Sequence, residues 1–259
     1  MKNITIALTV LVFFLSACGM KSPLVTGSGE MITQTFDVQD FDQIRVGTSG
    51  VMYIEQGDEF SLSIEADDNI LSLLDVKVEQ GVLTLRAKPD ATLFQFETII
   101  YRVTLPELSI IDLSGSADIR VEDFSADSLS VNINGSGDVT FVNLDVTSLS
   151  VRISGSGDMI LPNLSAKSVL AEINNSGLMD VAGKTETLIV KVSGSGDLLA
   201  KTLKATTAEV AVNGSGDVAV WAVDSLDVSI SGSGDVQYLG SPKLTENISG
   251  GGDLTKLGY

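Results

Sequence analysis

The chain has 259 residues, with 34 acidic and 16 basic side chains and a formal net charge of −18, so its surface repels nucleic acid and anionic lipid. It contains no histidine and a single cysteine, Cys18. This composition excludes an intramolecular disulfide, a zinc site made of histidines and cysteines, and catalysis by a Ser–His or Cys–His pair.

Residues 1–17 predict export. They carry one charge, Lys2, followed by a short apolar run and two small residues directly before Cys18. This order is typical of a secretory signal. The apolar run is too short to span a bilayer, which requires about 20 residues. The segment resembles a bacterial lipobox, which implies cleavage before Cys18 and acylation of its sulfur. The alternative is a plain signal peptide with a chance cysteine.

The next two segments differ in regularity. Residues 18–30 are rich in Gly, Ser, Pro and Thr, which predicts a lipidated N-terminus and a flexible tether. Residues 31–113 are irregular, and we expect them to form the opening coils, with a β-hairpin that caps one end of the body. Short elements are predicted there: strands at 61–64, 76–78 and 82–86, a helical turn at 69–74, and a hairpin turn at Glu79-Gln80-Gly81.

A motif of the form Ser/Asn-Gly-Ser-Gly-Asp recurs throughout residues 114–259. Counted from Gly115, its copies follow at spacings of 20, 20, 20, 19, 20, 18 and 18 residues, and Thr48-Ser49-Gly50 is an isolated early copy. Between the copies, apolar and polar residues alternate, as in residues 129–134, which indicates half-buried strands. Each unit therefore consists of a strand, a glycine corner, a second strand and a looser return.

One such unit cannot bury its own apolar face, but stacked units can, with about 4.8 Å between neighbouring coils. A repeat of about 20 residues suits one coil of a β-helix and is too short for a propeller blade. The sequence therefore predicts an all-β fold, namely a single-stranded right-handed parallel β-helix (a β-solenoid) of about 20 residues per coil with an irregular N-terminal capping region.

Stacking makes three details of this fold predictable. Asn175 replaces the first glycine of the fourth motif, which predicts a left-handed backbone at that position. Glu246 falls where Val210 and Val228 should point inward, which predicts a polar terminal coil. We also expect an outward column on successive coils, with charges that alternate over its last three members: Asn132, Arg152, Glu172 and Lys191.

The recurring corner, the opening segment 36–46 and the segment 105–108 before the first corner resemble the family described as putative auto-transporter adhesin, head GIN domain. The resemblance covers roughly residues 34–257, nearly all of the chain after the export signal. It implies a single-stranded right-handed β-helix and a role in adhesion, and it brings no catalytic residues with it.

The aspartates of the recurring motif are the most specific candidate ligands for a metal ion. On successive coils their carboxylates would repel one another, and a bridging calcium ion would relieve that repulsion. The interpretation that we favour is structural: each carboxylate accepts N–H groups within its own turn. Leu178 interrupts the column, and one corner per 20 residues is sparse for a calcium-binding repeat. The candidate calcium column consists of Asp118, Asp138, Asp158, Asp197, Asp217, Asp235 and Asp253.

Carbohydrate binding is a further alternative. Phe141, Trp221 and Tyr238 fall at similar positions in the strands after the corners, where they would form either an exposed stripe for sugars or part of the core. Some β-helix proteins also cleave polysaccharides with paired carboxylates, but no acid in this chain departs from the repeat as an obvious catalytic pair.

These features together predict a non-catalytic protein of the cell envelope, without a cofactor, anchored through Cys18 in the outer membrane. We expect an adhesin or scaffold that binds an unidentified protein or glycan along one face of the solenoid. Nucleic acid is not an expected partner, whereas strand-edge pairing would permit a homo-oligomer. The sequence leaves open whether the protein faces the periplasm or the exterior, and the alternative remains a carbohydrate-binding or polysaccharide-degrading β-helix.

Overall fold

A computed structural model describes residues 24–89, 91–93 and 96–258. Regular structure in these ranges is almost entirely β, with one short helix, α1 (Asp68–Leu71). The strands of the N-terminal region are β1 (Leu24–Val25), β2 (Met31–Phe36), β3 (Gln43–Gly47), β4 (Ser49–Gln56), β5 (Ser61–Asp67), β6 (Leu74–Glu79), β7 (Val82–Ala87), β8 (Thr92–Leu93), β9 (Ile100–Leu105) and β10 (Ile110–Leu113). The strands of the regular coils are β11 (Ser116–Ile133), β12 (Val139–Ile153), β13 (Met159–Ile173), β14 (Leu178–Val192), β15 (Asp197–Val212), β16 (Val218–Gly232), β17 (Val236–Leu239), β18 (Lys243–Gly250) and β19 (Leu254–Lys256).

The chain forms the predicted β-solenoid, with about 7 turns of roughly 20 residues. Each long strand pairs in parallel with the strand of the next coil, so that Leu129 lies opposite Leu149 and Leu149 opposite Val169. The early corner also stacks as expected, because Ser49 pairs with Ser116 and Gly50 with Ala117. The predicted repeat therefore sets the register of the whole body.

The core runs along the axis of the solenoid as columns of apolar side chains. At one inward position Val131, Val151, Ala171, Val190, Val210 and Val228 follow each other, all at 0–1% exposure. Full burial of a Val, Leu or Ile side chain contributes about 1.5–3 kcal/mol relative to exposure. Period-two alternation in the sequence thus becomes one continuous core shared by all coils.

The N-terminal region closes one end of this core. Strand β5 pairs antiparallel with both β2 and β9, and β6 pairs antiparallel with β7. The predicted hairpin turn is confirmed, since Gln80 and Gly81 adopt φ values of 52° and 80° between β6 and β7. The predicted helical turn corresponds to α1, which buries Ile70 and Leu71. This end of the solenoid is therefore capped by antiparallel strands.

Residues 24–30 lie against this cap rather than forming a free tether. Strand β1 pairs with β8, and the buried carboxylate of Asp67 accepts the N–H of Gly29 at 2.6 Å and that of Glu97 at 3.0 Å. These contacts fix the N-terminal segment to the capped end of the body. Residues 18–23 of the predicted tether lie outside the described residues.

The opposite end is open. Strand β18 pairs in parallel with β16 and continues its register, so that Glu246 follows Val228 in the inward column, as predicted. Every residue of β18 is exposed, including the apolar side chains of Leu244 at 37% and Ile248 at 41%. Glu246 therefore places an inward-pointing charge on the terminal coil, which disfavours further stacking.

The corner glycines are required mainly because the coils approach one another closely. A Cβ built on Gly155 would lie 1.9 Å from the carbonyl oxygen of Gly135, and the backbone of Gly155 is outside the left-handed region. The prediction of a left-handed Asn175 is wrong, because the non-glycine residues with positive φ in the described ranges are Asp40 and Gln80. Asn175 instead uses its side-chain amide to donate to the carbonyl oxygen of Ser154 on the preceding coil.

Gly155→Ala should destabilise the solenoid, because its methyl group would collide with the backbone of the preceding coil. We expect a loss of about 1–3 kcal/mol in the free energy of unfolding, measured by urea denaturation. Gly47→Ala is the matched control, since its added Cβ would find its nearest atom at an ordinary 3.5 Å. Equal stability losses in the two variants would contradict the steric explanation.

Candidate functional site

The motif aspartates form a ladder of hydrogen bonds between coils. The Oδ1 atom of Asp118 accepts the backbone N–H of Asp138 at 3.2 Å, and Asp138 accepts that of Asp158 at 2.8 Å. Asp158 accepts the N–H of Leu178 at 2.9 Å, and Leu178 then interrupts the ladder. A second run begins at Asp197 and joins Asp217, Asp235 and Asp253 at 2.8–2.9 Å. We call these seven residues the aspartate ladder.

This arrangement changes the expected role of the aspartates. Their carboxylates bind backbone N–H groups of the following coil, not of their own turn. A charge-assisted bond to a backbone N–H stabilises the ionised carboxylate and joins two coils. Within the part of the chain that the structure describes, no three Asp, Glu, Cys or His side chains form a group suited to a metal ion. Whether the aspartate ladder binds calcium is a question for the stability measurement described below.

The predicted column of outward polar side chains is confirmed. Asn132, Arg152, Glu172 and Lys191 occupy the same position on successive coils. The Glu172 carboxylate accepts from Arg152 at 2.5 Å and from Lys191 at 3.2 Å. Exposed pairs of this kind contribute about 0–1 kcal/mol each, so the column supports the coil register more than the overall stability.

The predicted aromatic stripe does not form. Phe141 is fully buried in the core, and Tyr238 follows it in the same inward register near the C-terminal end. Trp221 is half-buried in the neighbouring column, with the Lys204 ammonium 5.6 Å from its ring centroid. The three residues therefore do not share one exposed surface, because Phe141 and Tyr238 occupy inward positions of their strands.

A long groove lies on the solenoid surface away from the aspartate ladder. Among the described surfaces, it is the one best suited to binding a partner molecule. It has a volume of about 1350 Å³ and crosses β11 to β16, roughly 24 Å at the usual spacing between strands. The floor consists of small or buried side chains, one from each of four successive coils, which leave the surface concave: Ala126, Val146, Ala166 and Thr185. The segment 106–109 lines the end nearest the N-terminal cap. Sequence reasoning missed this groove.

The rim of the groove carries both signs of charge in two separate parts. The part nearest the N-terminal cap, which we call the acidic half, is lined by Asp42, Glu107, Asp127 and Asp145. The following coils, which we call the lysine half, contribute Lys167, Lys184, Glu186 and Lys204. Asp224 lines the far end. The groove is therefore acidic near the cap and mainly basic in the following coils, where Glu186 and Asp224 are the acidic exceptions.

Two side chains with a shifted pKa lie outside the groove. A hydrogen bond from Arg86 lowers the pKa of Asp75 on the β6–β7 hairpin. Burial raises the pKa of Tyr101 to about 12, although its hydroxyl shares a hydrogen bond of 2.7 Å with that of Thr48. Both groups belong to the N-terminal coils, where their contacts hold the cap together.

Cys18, the predicted lipidation site, lies outside the described residues. In the ranges that the structure does describe, none of the helices has the length and apolar character needed to cross a membrane.

The fold and the groove define a β-solenoid with one extended groove rimmed by charged side chains. The chain belongs to the family described as putative auto-transporter adhesin, head GIN domain, whose model matches residues 40–242. An adhesin family is expected at the cell surface or in the cell envelope. No curated protein matches the chain.

Solved structures of bacterial proteins share this fold. A putative lipid binding protein from Parabacteroides distasonis superposes with a TM-score of 0.87 at 26% identity, covering 91% of this chain and all of its own. A putative adhesin from Bacteroides fragilis gives 0.72 at 26% identity, covering 90% of this chain and 100% of its own. A putative adhesin from Parabacteroides merdae gives 0.86 at 23% identity, covering 90% and 99%, which shows the fold alone.

Asp138→Ala should weaken the solenoid because it leaves the N–H of Asp158 without its carboxylate acceptor. We expect a loss of about 1–2 kcal/mol in the free energy of unfolding. Asp253→Ala is the control, since this last member of the ladder has no further coil above it. An equal effect of both substitutions would show that the bonds between coils contribute little.

Calcium should leave thermal stability nearly unchanged if the ladder carboxylates serve only the backbone. We expect the Tm of the full chain in millimolar calcium and in chelator to agree within about 1 °C, because a ligand raises Tm only by binding the native state. A rise of several degrees, abolished by Asp138→Asn, would instead assign a metal site to the ladder.

Proposed function

We propose that this protein is a non-catalytic adhesin of the cell envelope, anchored by lipid at Cys18, which holds an extended partner in its groove. The observation that carries the proposal is the groove itself, which is long, open and lined by charged side chains from six successive coils. Solenoids commonly bind partners along such an elongated face.

The position of the N-terminal segment supports an anchor at the capped end. Residues 24–30 are fixed to the cap by β1 and by Asp67. Leu24 follows Cys18 by six positions, and a fully extended chain of that length reaches at most about 20 Å. An acylated Cys18 would therefore hold the capped end close to the membrane and leave the rest of the solenoid to project from it.

The groove suits a polymer better than a single lipid or a sugar. One relative is described as a putative lipid binding protein, but the groove here is open along its length and rimmed by nine charged side chains. Within the described residues no aromatic ring lines it, so it lacks the flat platform on which sugars commonly stack. An extended partner with several charged groups would use both the length and the rim.

Protease treatment of intact cells tests the anchor and the exposure together. We expect external protease to degrade the wild-type protein, and the membrane fraction to carry a palmitate label that Cys18→Ala abolishes. Because two or three acyl chains are needed for stable anchoring, the Cys18→Ala protein should be lost from the membrane fraction.

Cys18→Ser serves as a second variant without a lipidation site but with a polar side chain of similar size. A wild-type protein that resists external protease, while remaining sensitive in lysed cells, would favour a scaffold on the periplasmic side over an adhesin. A protein that stays membrane-bound without Cys18 would contradict the lipid anchor.

A further inference from the structure

Three exposed lysines lie together in the groove of this acidic protein. Some basic side chains of the described chain contact acids, as Arg45 does with Asp112 and Arg86 with Asp75, whereas others, such as Lys201 and Lys243, do not. Lys167, Lys184 and Lys204 form no ion pair within 4.0 Å in the described ranges, although acids are about twice as numerous as bases. The Lys204 ammonium also lies 5.6 Å from the Trp221 ring centroid, a contact that leaves its charge without a carboxylate partner. Exposed ammonium groups without a carboxylate contact can still pair with an acidic partner.

The three lysines are held together by the stacking of coils. Lys184 pairs directly with Lys204 on the next coil, so their backbones lie about 4.8 Å apart. Lys167 lies one coil earlier and on the other side of the floor residue Thr185, whose hydroxyl donates to the carbonyl oxygen of Lys167 at 3.2 Å. Like charges placed this close repel one another, and an anionic group between them would remove that repulsion.

The acidic half offers the opposite charge at a defined distance. Asp145 lies two coils before Lys184 and three before Lys204. At about 4.8 Å per coil these separations are roughly 10 and 14 Å. Asp127 lies one coil further away, roughly 19 Å from Lys204. An extended polypeptide advances about 3.3 Å per residue, so Asp127 and Asp145 are about three to six residues away from Lys184 and Lys204 along a bound segment.

We propose that the groove binds an extended segment of a partner polypeptide in which basic residues are separated from acidic residues by three to six positions. The basic residues face the acidic half, and the acidic residues face Lys167, Lys184 and Lys204. This inference rests on the proposed function, which it deepens by naming the class of partner and the order of its charges.

A polypeptide fits the groove better than a polyanion does. A uniformly acidic polymer would contact the lysine half but would be repelled by the four carboxylates of the acidic half. The small side chains of the floor, Ala126 and Ala166 among them, leave room for side chains of a bound segment. Complementary charge at both ends would also fix the direction in which the segment lies.

The proposal can be tested by selecting random peptides of about ten residues, displayed on phage, against the immobilised full-length protein. We expect enrichment of peptides with basic and acidic residues separated by three to six positions, in one order. Binding of the selected peptide, measured by fluorescence anisotropy, should fall by at least about tenfold in Lys184→Glu/Lys204→Glu. The variant replaces exposed side chains, so its Tm should remain within about 3 °C of the wild type.

Two variants make the test specific. Lys201→Glu/Lys243→Glu changes the net charge equally but alters exposed lysines outside the groove, and it should bind the selected peptide within about twofold of the wild type. The variant Asp127→Lys/Asp145→Lys/Lys184→Glu/Lys204→Glu reverses two charges in each half of the groove, and it should favour peptides with the reverse order of charges.

The proposal would be overturned by an absence of enriched peptides, by peptides that bind the charge-reversed groove equally well, or by preferential binding of polygalacturonate, used as the polyanion probe. If cell adhesion is retained in Lys184→Glu/Lys204→Glu, the inference about the partner's charges fails, whereas the lipid-anchored adhesin stands. If the protein is neither surface-exposed nor anchored, the function fails, whereas peptide selection by the groove remains measurable.

Discussion

The close stacking of successive coils is the constraint on which the rest of this structure depends. Backbone hydrogen bonds fix neighbouring coils about 4.8 Å apart, and at the glycine corners this spacing leaves no room for a Cβ above the preceding carbonyl oxygen, with the Asn175 corner as the exception. Gly155 above Gly135 and Gly157 above Gly137 show the same contact, at 1.9 and 2.1 Å from a built Cβ. The glycines therefore recur with the period of the coils because the close stacking of coils requires them at the corners.

Stacking also turns sequence periodicity into columns with distinct roles. Inward columns form the core, the motif aspartates join coils through backbone N–H groups, and Glu172 links Arg152 to Lys191 on the outer surface. The same rule gathers Lys184 and Lys204 in the groove. The Glu172 column pairs opposite charges and the motif aspartates bind backbone N–H groups, so both support the fold, whereas Lys184 and Lys204 have no carboxylate contact within the described residues.

The two ends of the solenoid differ, because one is capped and the other is open. Antiparallel strands and residues 24–30 close the end near the predicted lipid anchor, while β18 leaves the other end uncovered. Glu246, placed inward on the last coil, opposes the addition of another coil. The groove begins at the capped end and runs toward the open one, so a bound segment would lie along the length of the projecting solenoid.

The amino-acid sequence by itself determined the repeat, the solenoid, the coil register and the hairpin at Gln80-Gly81, because these depend on local periodicity and turn chemistry. It could not show that Asp138 binds the next coil, that Asn175 avoids a left-handed backbone, or that Phe141 is buried. The groove was decided only by tertiary structure. Its floor and its rim come from residues about 20 positions apart, and the concave shape arises from side-chain volumes on six coils, which no single repeat displays.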